Sequence, residues 1–159
     1  AVCDGPFFKG KRVAVVGGGD SAVTSAIYLA SLAEKVYLIH RRDKLRAEKA
    51  LAEKLFELDN VEIRWNSLVK EIVGKNKVEA IRLLNKVDGT ISKVEVDGVF
   101  INVGFVPNNE LAIEVGARVD EEGHVITGKG QETNIPGLFA AGDVAGKRGD
   151  LAGNGPSPG

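Results

Sequence analysis

A glycine-rich turn between an apolar strand and a small-residue helix constrains the fold of this chain more than any other feature. Residues 13–16 form a continuous apolar run (VAVV), which is typical of a parallel strand buried on both faces. Residues 17–19 are all glycine, and small residues then recur at helical spacing from Ala22 onward. Because a second apolar run follows at residues 36–39, this order predicts a βαβ unit with a right-handed crossover.

The pattern continues beyond the second strand. Asp43 is a candidate N-cap for a second helix, with Arg46 one turn into it, and the alternating segment VEIRW (61–65) predicts a third strand. Residues 68–96 contain three strand-like runs, and the Asp88-Gly89 step between the last two is a hairpin signal. The predicted fold class is therefore α/β: a Rossmann-like βαβαβ parallel sheet with an inserted antiparallel β-meander.

The remaining residues predict a short, partial second domain. A further core strand is expected at 98–104, followed by a loop from Gly104 (GFVPNNEL). A hairpin is expected at 118–127, and an apolar strand that enters a glycine turn at 135–144. From residue 145 the chain is rich in glycine and proline without hydrophobic periodicity, which predicts a flexible tail.

Composition and charge exclude several classes of protein. Hydrophobic residues make up 43% and charged residues 27%, as in ordinary globular proteins, and the formal net charge of −1 does not favour binding to nucleic acid or to an anionic membrane. The longest apolar runs are of strand length, and the N-terminus does not resemble a signal peptide. A single cysteine, Cys3, fits a reducing compartment. We therefore expect a cytoplasmic protein without a metal site.

The glycine turn has the spacing of a dinucleotide-binding site. Gly17 permits a tight turn, Gly19 lets the backbone approach a pyrophosphate, and Ala22 permits close packing of helix on strand. The start of the helix offers free N–H groups to an anion, so Asp20 and Ser21 join the predicted pyrophosphate site. The alternative is a structural glycine turn without a ligand.

The end of the second strand indicates which dinucleotide is bound. In this fold a carboxylate at that point binds the ribose 2′-hydroxyl of NAD(H). Here four side chains that can carry positive charge replace it: His40, Arg41, Arg42 and Arg46. Guanidinium groups match a phosphate in bidentate geometry, so the cluster predicts binding of NADP(H) through its 2′-phosphate. The alternative is a solvated basic helix start that pairs with Asp43 and Glu48.

Four motifs, taken in order, resemble a known family. The segments VAVVGGGDSAV, VYLIHRRDKLRAEK, GFVPNN and NIPGLFAAGDV are similar to low-molecular-weight thioredoxin reductase, a flavoprotein disulfide reductase, over roughly residues 1–144. The resemblance implies two Rossmann-like domains, with the NADPH domain inserted into the FAD domain. On that basis residues 1–103 are the NADPH-binding domain, residues 104–144 are part of the C-terminal half of the FAD domain, and residues 145–159 are a tail.

The resemblance also implies an activity and roles for individual residues. Electrons would pass from NADPH to FAD, then to a cysteine pair, then to the disulfide of thioredoxin, in a homodimeric parent enzyme. Cys3 matches the second redox cysteine, and Asp4 the acid that manages thiol protonation. His40 would stack near the adenosine. Three further residues match cofactor contacts: Gly104, Gly142 and Asp143.

The chain also departs from the family pattern. The first FAD-binding strand and the first redox cysteine are absent, and Thr24-Ser25 stands where many members carry a Glu-Glu pair near the nicotinamide. We therefore expect a fragment that binds NADPH but neither holds FAD nor reduces disulfides by itself. Two alternatives remain open: a free-standing NADP(H)-binding regulatory module, and a flavoprotein of the same architecture with another electron donor or acceptor.

Overall fold

The computed structural model describes residues 3–104 and 106–146, which divide into two compact units, one ending at Gly104 and the other beginning after it. The first unit contains seven strands, which lie in two sheets: β1 (Arg12–Gly17), β2 (Lys35–Ile39), β3 (Val61–Arg64), β4 (Ser67–Val73), β5 (Ala80–Asn85), β6 (Ile91–Glu95) and β7 (Gly98–Asn102). The four-stranded sheet has the order β3-β2-β1-β7 with every pair parallel, and the three-stranded sheet has the order β4-β5-β6. This is the predicted α/β fold class.

Helix α1 (Asp20–Ala30) covers one face of the parallel sheet with the small-residue face that the sequence predicts. Ala22, Ala26 and Leu29 are fully buried, and Ala33 is nearly so. Together with the apolar side chains of β1 and β2 they form the larger core of this unit. Small side chains allow the helix axis to lie close to the strands, so the end of β1 and the start of α1 are held tightly together.

Helix α2 (Lys49–Phe56) begins later than predicted. Asp43 is not its N-cap, and Arg46 precedes the helix instead of lying one turn into it. The physical reason is that residues before Lys49 use their backbone groups elsewhere: the amides of Arg46 and Ala47 donate to the carbonyl oxygen of Gly18. Leu45 is also drawn into the larger core. We name this irregular segment, residues 40–48, the cation loop.

The antiparallel meander covers the opposite face of the parallel sheet. Ile81 and Leu83 of β5 pack with Ala14 and Ile39 in a second apolar cluster, so both faces of β1 and β2 are buried. The turn between β5 and β6 follows the predicted hairpin signal, with Gly89 at φ +74°. The Thr90 backbone amide and then its hydroxyl donate to the Asp88 carboxylate, which lowers the pKa of Asp88.

The second unit contains a short hairpin and a short helix. Arg118 and Ile126 are joined by a backbone hydrogen bond around the Val119–Val125 bridge, which agrees with the predicted hairpin. Helix α3 (Glu110–Glu114) begins at the end of the predicted loop and was not expected.

The predicted strand at 135–144 is wrong. This segment contains only a bridge between Glu132 and Phe139 and a 3-10 turn at Gly142–Val144. Its backbone forms isolated hydrogen bonds instead of a continuous ladder, such as those from the Leu138 amide to the Ile135 carbonyl and from the Val125 amide to the Val144 carbonyl. An apolar pattern indicates that a segment can enter a sheet, but it does not say whether a neighbouring strand is available to pair with it.

The predicted flexible tail is described only at its start. The Gly146 amide donates to the Val125 carbonyl, and Ala145 forms a parallel bridge with the same residue. The rest of the predicted tail, residues 147–159, lies outside the described residues. Within the described ranges no helix is long and apolar enough to cross a bilayer.

We expect Ile81→Ala to destabilise the first unit by about 2–5 kcal/mol, the cost of truncating a buried Ile side chain between the two sheets. Ile81 is 0% exposed, whereas Ile91 of the neighbouring strand is 68% exposed and is the matched control. Ile91→Ala should cost about 1 kcal/mol or less. The measurement is urea unfolding followed by fluorescence of Trp65, the single tryptophan. Equal losses for the two variants would contradict the packing of the meander on the parallel sheet.

Candidate functional site

The carboxyl edge of the parallel sheet brings the glycine turn and the cation loop together. β1 ends at Gly17 and its neighbour β2 ends at Ile39, so residues 17–19 and the cation loop leave the sheet side by side. The strand order reverses at β1, which pairs with β2 on one side and with β7 on the other. In open parallel sheets, ligands bind outside the carboxyl ends of the strands at such a switch point.

The glycine turn is formed by residues 17–19, and each glycine has a different environment. Gly17 has φ +147°, and a Cβ there would collide with the carbonyl oxygen of Asn102 and the Cβ of Ala22. Gly17 is therefore required by the close approach of β7 and α1. A Cβ added at Gly19 would meet no atom within 4 Å, so the backbone there faces open space. A ligand can approach the chain closely at Gly19.

The start of α1 offers unpaired donors beside that open space. Gly19 is the N-cap of the helix, and its carbonyl accepts the amides of Ala22 and Val23. The amides of Asp20 and Ser21 donate no backbone hydrogen bond within the described part of the chain. Free N–H groups at a helix start, together with the positive end of the helix dipole, favour an anionic ligand. The geometry therefore suits a phosphate group at Gly19.

Gly18 contacts protein instead of open space. The three atoms nearest to a Cβ at Gly18 all belong to the imidazole ring of His40, and all would overlap it. His40 is 4% exposed, its Nε2 lies 2.9 Å from the Lys44 carbonyl oxygen, and its ring makes an edge-to-face contact with Trp65 at a centroid distance of 6.2 Å. Little of the ring surface remains for the adenosine stacking that we expected from the sequence.

Asp20 also bonds within the protein. Its Oδ1 accepts the backbone amide of Glu48 at 2.8 Å, which joins the start of α1 to the end of the cation loop. The sequence suggested Asp20 for the pyrophosphate because of its position in the turn. In the structure, this carboxylate receives a hydrogen bond from the loop that carries the arginines.

The three arginines of the cation loop, Arg41, Arg42 and Arg46, are exposed and form no ion pair with a described residue, within 3–104 and 106–146. Pairing with Asp43 and Glu48, the alternative interpretation of this cluster, does not occur there. The loop backbone is nevertheless fixed, since the Asn66 amide donates to the Arg42 carbonyl at 3.2 Å. The arrangement presents three guanidinium groups to solvent beside a turn that can hold a phosphate.

Cys3 and Asp4 lie at the other edge of the sheet. Both are exposed and precede a 3-10 turn (Gly5–Phe8) at the amino end of β1. Gly5 packs against Tyr28 and Leu29 in the last turns of α1, far along the helix from the glycine turn. The structure therefore does not bring Cys3 together with the glycine turn and the cation loop.

The other predicted cofactor residues are distributed over both units. Gly104, at φ +91°, ends the first unit two residues after β7, at the same edge of the sheet as the glycine turn. Gly142, at φ +79°, and Asp143 lie in the 3-10 turn of the second unit, where both are exposed.

Sequence reasoning missed the contacts that join the glycine turn to the cation loop. Gly18 occupies a variable position of the dinucleotide-binding pattern, so the pattern assigns it no role. The available signal was the glycine at the middle of three consecutive glycines, because a residue without a side chain at a position that the pattern leaves variable can indicate that another group lies against it. Nothing in the sequence identified that group as His40, since the two residues are 22 positions apart along the chain.

Comparison with known proteins assigns the family. The sequence profile described as pyridine nucleotide-disulphide oxidoreductase matches residues 3–157. Thioredoxin reductase from Listeria innocua is 49% identical over 148 residues, which are 92% of this chain and 46% of that protein. Thioredoxin reductase from Bacillus subtilis is 47% identical over 145 residues, 91% of this chain and 46% of that protein.

Solved structures agree with the sequence relatives. The crystal structure of Lactococcus lactis thioredoxin reductase superposes with a TM-score of 0.82 at 40% identity, covering 94% of this chain and 50% of that one. The crystal structure of T. acidophilum thioredoxin reductase gives 0.80 at 35% identity, covering 96% and 49%. The chain thus spans about half the length of the relatives it matches. It belongs to the pyridine nucleotide-disulphide oxidoreductase family, in which its relatives are thioredoxin reductases.

Proposed function

We propose that this chain is the NADPH-binding part of a thioredoxin reductase-like flavoprotein. In this proposal residues 1–103 bind NADPH, and residues 104–144 contribute to an FAD-binding domain. The observation that carries the proposal is the exposed arginine cluster, which forms no ion pair with a described residue, beside an open glycine turn at one edge of the sheet. The family and the thioredoxin reductase relatives support the same conclusion.

The glycine turn would hold the pyrophosphate. Gly19 leaves room for the phosphate oxygens, and the amides of Asp20 and Ser21 are free to donate to them. Gly17 and Ala22 act indirectly, because their small size lets α1 begin directly against β1 and β7. Gly104, which follows β7 at the same edge, would lie on the nicotinamide side of the switch point.

The cation loop would select the cofactor. A phosphate monoester carries roughly −1.5 to −2 charges at neutral pH. Arg41, Arg42 and Arg46 have no competing acidic partner among the described residues, so they keep their full hydrogen-bonding capacity for such a group. The strand-end carboxylate that would favour the ribose 2′-hydroxyl of NAD(H) is replaced by His40. These features favour NADPH over NADH.

In the complete protein, bound NADPH would supply a hydride to FAD, and the reduced flavin would supply electrons to a cysteine pair that reduces the disulfide of thioredoxin. Cys3 would be one member of that pair, and its exposed position leaves the thiol accessible. Asp4, the adjacent exposed carboxylate, would exchange a proton with that thiol. Gly142 and Asp143 would contact FAD. We propose a cytoplasmic homodimer as the working form.

The activity of the complete protein is tested with the full-length gene product, assayed with NADPH and thioredoxin. Thioredoxin reduction that is lost in Cys3→Ser would support the assigned role of Cys3. Reduction of another acceptor, or electron supply from another donor, would favour a flavoprotein of the same architecture with different partners. A full-length product that binds NADPH but carries no flavin would favour the regulatory module.

We expect the 159-residue chain to bind NADPH with much higher affinity than NADH, and 2′,5′-ADP with much higher affinity than 5′-AMP. Each charge-assisted hydrogen bond is worth about 1.5–3 kcal/mol, and solvent screening at an exposed site favours the lower end. Since about 1.4 kcal/mol is a tenfold change in affinity, Arg41→Ala or Arg42→Ala should weaken NADPH binding about tenfold. The affinity for NADH should hardly change in either variant. Isothermal titration calorimetry measures all four ligands.

A matched control is Arg82→Ala, which removes an exposed arginine that pairs with Glu71 on the meander, away from the proposed site. This variant should leave both affinities unchanged. Equal wild-type affinities for NADPH and NADH would contradict the proposed role of the cation loop. They would indicate that the arginines are a solvated surface cluster without a ligand.

Salt should reduce the preference for NADPH. The arginines are exposed, so their attraction to a 2′-phosphate is screened as the Debye length falls from about 10 Å at 0.1 M salt to about 3 Å at 1 M. We expect the NADPH affinity to fall more steeply with salt than the NADH affinity over this range. Parallel salt dependences for the two cofactors would indicate that the extra phosphate does not contact the loop.

A further inference from the structure

We propose that Asp20 and His40 are positioning residues that fasten the cation loop to the glycine turn, and that they set the preference for the 2′-phosphate without contacting it. This inference rests on the proposed NADPH function. It concerns three sets of contacts between residues 17–20 and residues 40–48: one at each end of the loop and one at residues 46 and 47.

The first contact holds the end of the loop. Asp20 Oδ1 accepts the amide of Glu48 at 2.8 Å, just before α2 begins at Lys49. Asp20 is itself the first residue of α1, so this bond connects the starts of two helices. A carboxylate would repel a pyrophosphate, whereas it is a strong acceptor for a backbone amide. Its placement is thus better explained by the loop than by the ligand.

The second contact holds the beginning of the loop. The His40 ring lies against the Gly18 backbone with no room for a side chain between them, and the residue is 4% exposed. Its Nε2 bonds to the Lys44 carbonyl oxygen at 2.9 Å. Because a carbonyl can only accept, Nε2 must carry a proton and donate. The ring therefore bonds to the first turn of the loop and packs against the glycine turn, so it holds these two segments together.

The third contact holds the loop at residues 46 and 47. The Gly18 carbonyl accepts the Arg46 amide at 2.7 Å and the Ala47 amide at 3.2 Å. The buried Leu45 side chain anchors the same stretch in the core. One residue of the glycine turn, Gly18, thereby contacts both His40 and Arg46. The position of the arginine backbone is determined by the same residues that shape the proposed phosphate site.

This fastening explains how residues that do not touch a 2′-phosphate can determine its binding. A loose loop would have to be ordered on binding, at a cost in conformational entropy for each residue whose backbone becomes fixed. Only ligands that contact the arginines would bear that cost. Loss of Asp20 or His40 should therefore weaken 2′-phosphate ligands selectively, whereas loss of a direct pyrophosphate contact would weaken all dinucleotides.

The first experiment compares Asp20→Ala, Asp20→Asn and Asp43→Ala in the 159-residue chain. Asn keeps an oxygen acceptor for the Glu48 amide but removes the charge. Asp43 is an exposed carboxylate of the same loop and controls for the change in charge. We expect Asp20→Ala to weaken the binding of 2′,5′-ADP about fivefold to tenfold and the binding of 5′-AMP less than twofold. Asp20→Asn and Asp43→Ala should retain at least the wild-type preference for 2′,5′-ADP.

Two results would overturn the role of Asp20. The first is equal weakening of 2′,5′-ADP and 5′-AMP in Asp20→Ala, and the second is a loss in Asp20→Asn as large as in Asp20→Ala. Hydrogen exchange without ligand supplies a separate measurement. The Glu48 amide should exchange at least tenfold faster in Asp20→Ala than in wild type, and unchanged protection would also contradict the proposal.

The second experiment tests why residue 18 is glycine, using the cycle of Gly18→Ala, His40→Ala and the double variant. If the His40 ring is the only group that excludes a side chain at position 18, Gly18→Ala should weaken the binding of 2′,5′-ADP at least fivefold in the wild-type background. In the His40→Ala background the same change should weaken this binding less than twofold. Thermal unfolding verifies that each variant is folded. If one of these variants does not fold, hydrogen exchange of the Arg46 and Ala47 amides is measured in His40→Phe instead. Wild-type protection of both amides in that variant would contradict the role of the His40 ring.

Failure of this inference is distinguishable from failure of the proposed function. If the wild-type chain does not prefer 2′,5′-ADP to 5′-AMP, the proposed NADPH function is wrong, whatever the variants do. If the wild type has the preference and the Asp20 and His40 variants retain it, NADPH binding stands and the positioning role is overturned. The ligand-free exchange measurements report on the fastening in either case.

Discussion

The contact of the His40 ring with the Gly18 backbone is the interaction on which the candidate site depends. It brings the segment after β2 against the turn after β1 and leaves the Gly18 carbonyl to accept the Arg46 and Ala47 amides. Two segments that the parallel sheet only makes adjacent are thereby joined into one surface. A glycine is needed at position 18 because a neighbouring protein group fills the space, whereas at position 19 the corresponding space is open.

The sheet itself supplies the other constraint. Parallel pairing of β1 with β2 and β7 puts the carboxyl ends of these strands at one edge, with α1 on one face and the meander on the other. Burial of both faces holds the strand ends in place, so the loops at this edge project from a rigid support. Cys3 precedes β1 and therefore lies at the opposite edge, which separates the proposed redox residue from the proposed nucleotide site within this unit.

The charged groups of the cation loop form no ion pairs with one another among the described residues. The arginines of the cation loop have no acidic partner among the described residues, while Asp20, the nearby carboxylate at the start of α1, is bonded to the backbone of Glu48. An exposed cluster of like charges is unfavourable by itself, and a bound phosphate group would relieve that repulsion. The family relationship to thioredoxin reductases is consistent with such a ligand.

The sequence by itself determined the fold class, the order of the elements in the first unit and the residue types of the candidate site. In the first unit, apolar runs of strand length, small residues at helical spacing and an Asp-Gly hairpin signal are local patterns. Each of them is present in the structure of that unit, where the apolar periodicity matches the surface that is buried. Only the tertiary structure decided where α2 begins, what Gly18 and Asp20 contact, and whether residues 135–144 have a strand to pair with. The physical reason is that these features depend on backbone hydrogen bonds and side-chain contacts between residues distant in the chain, such as Asp20 with Glu48, and a local pattern does not specify its partner.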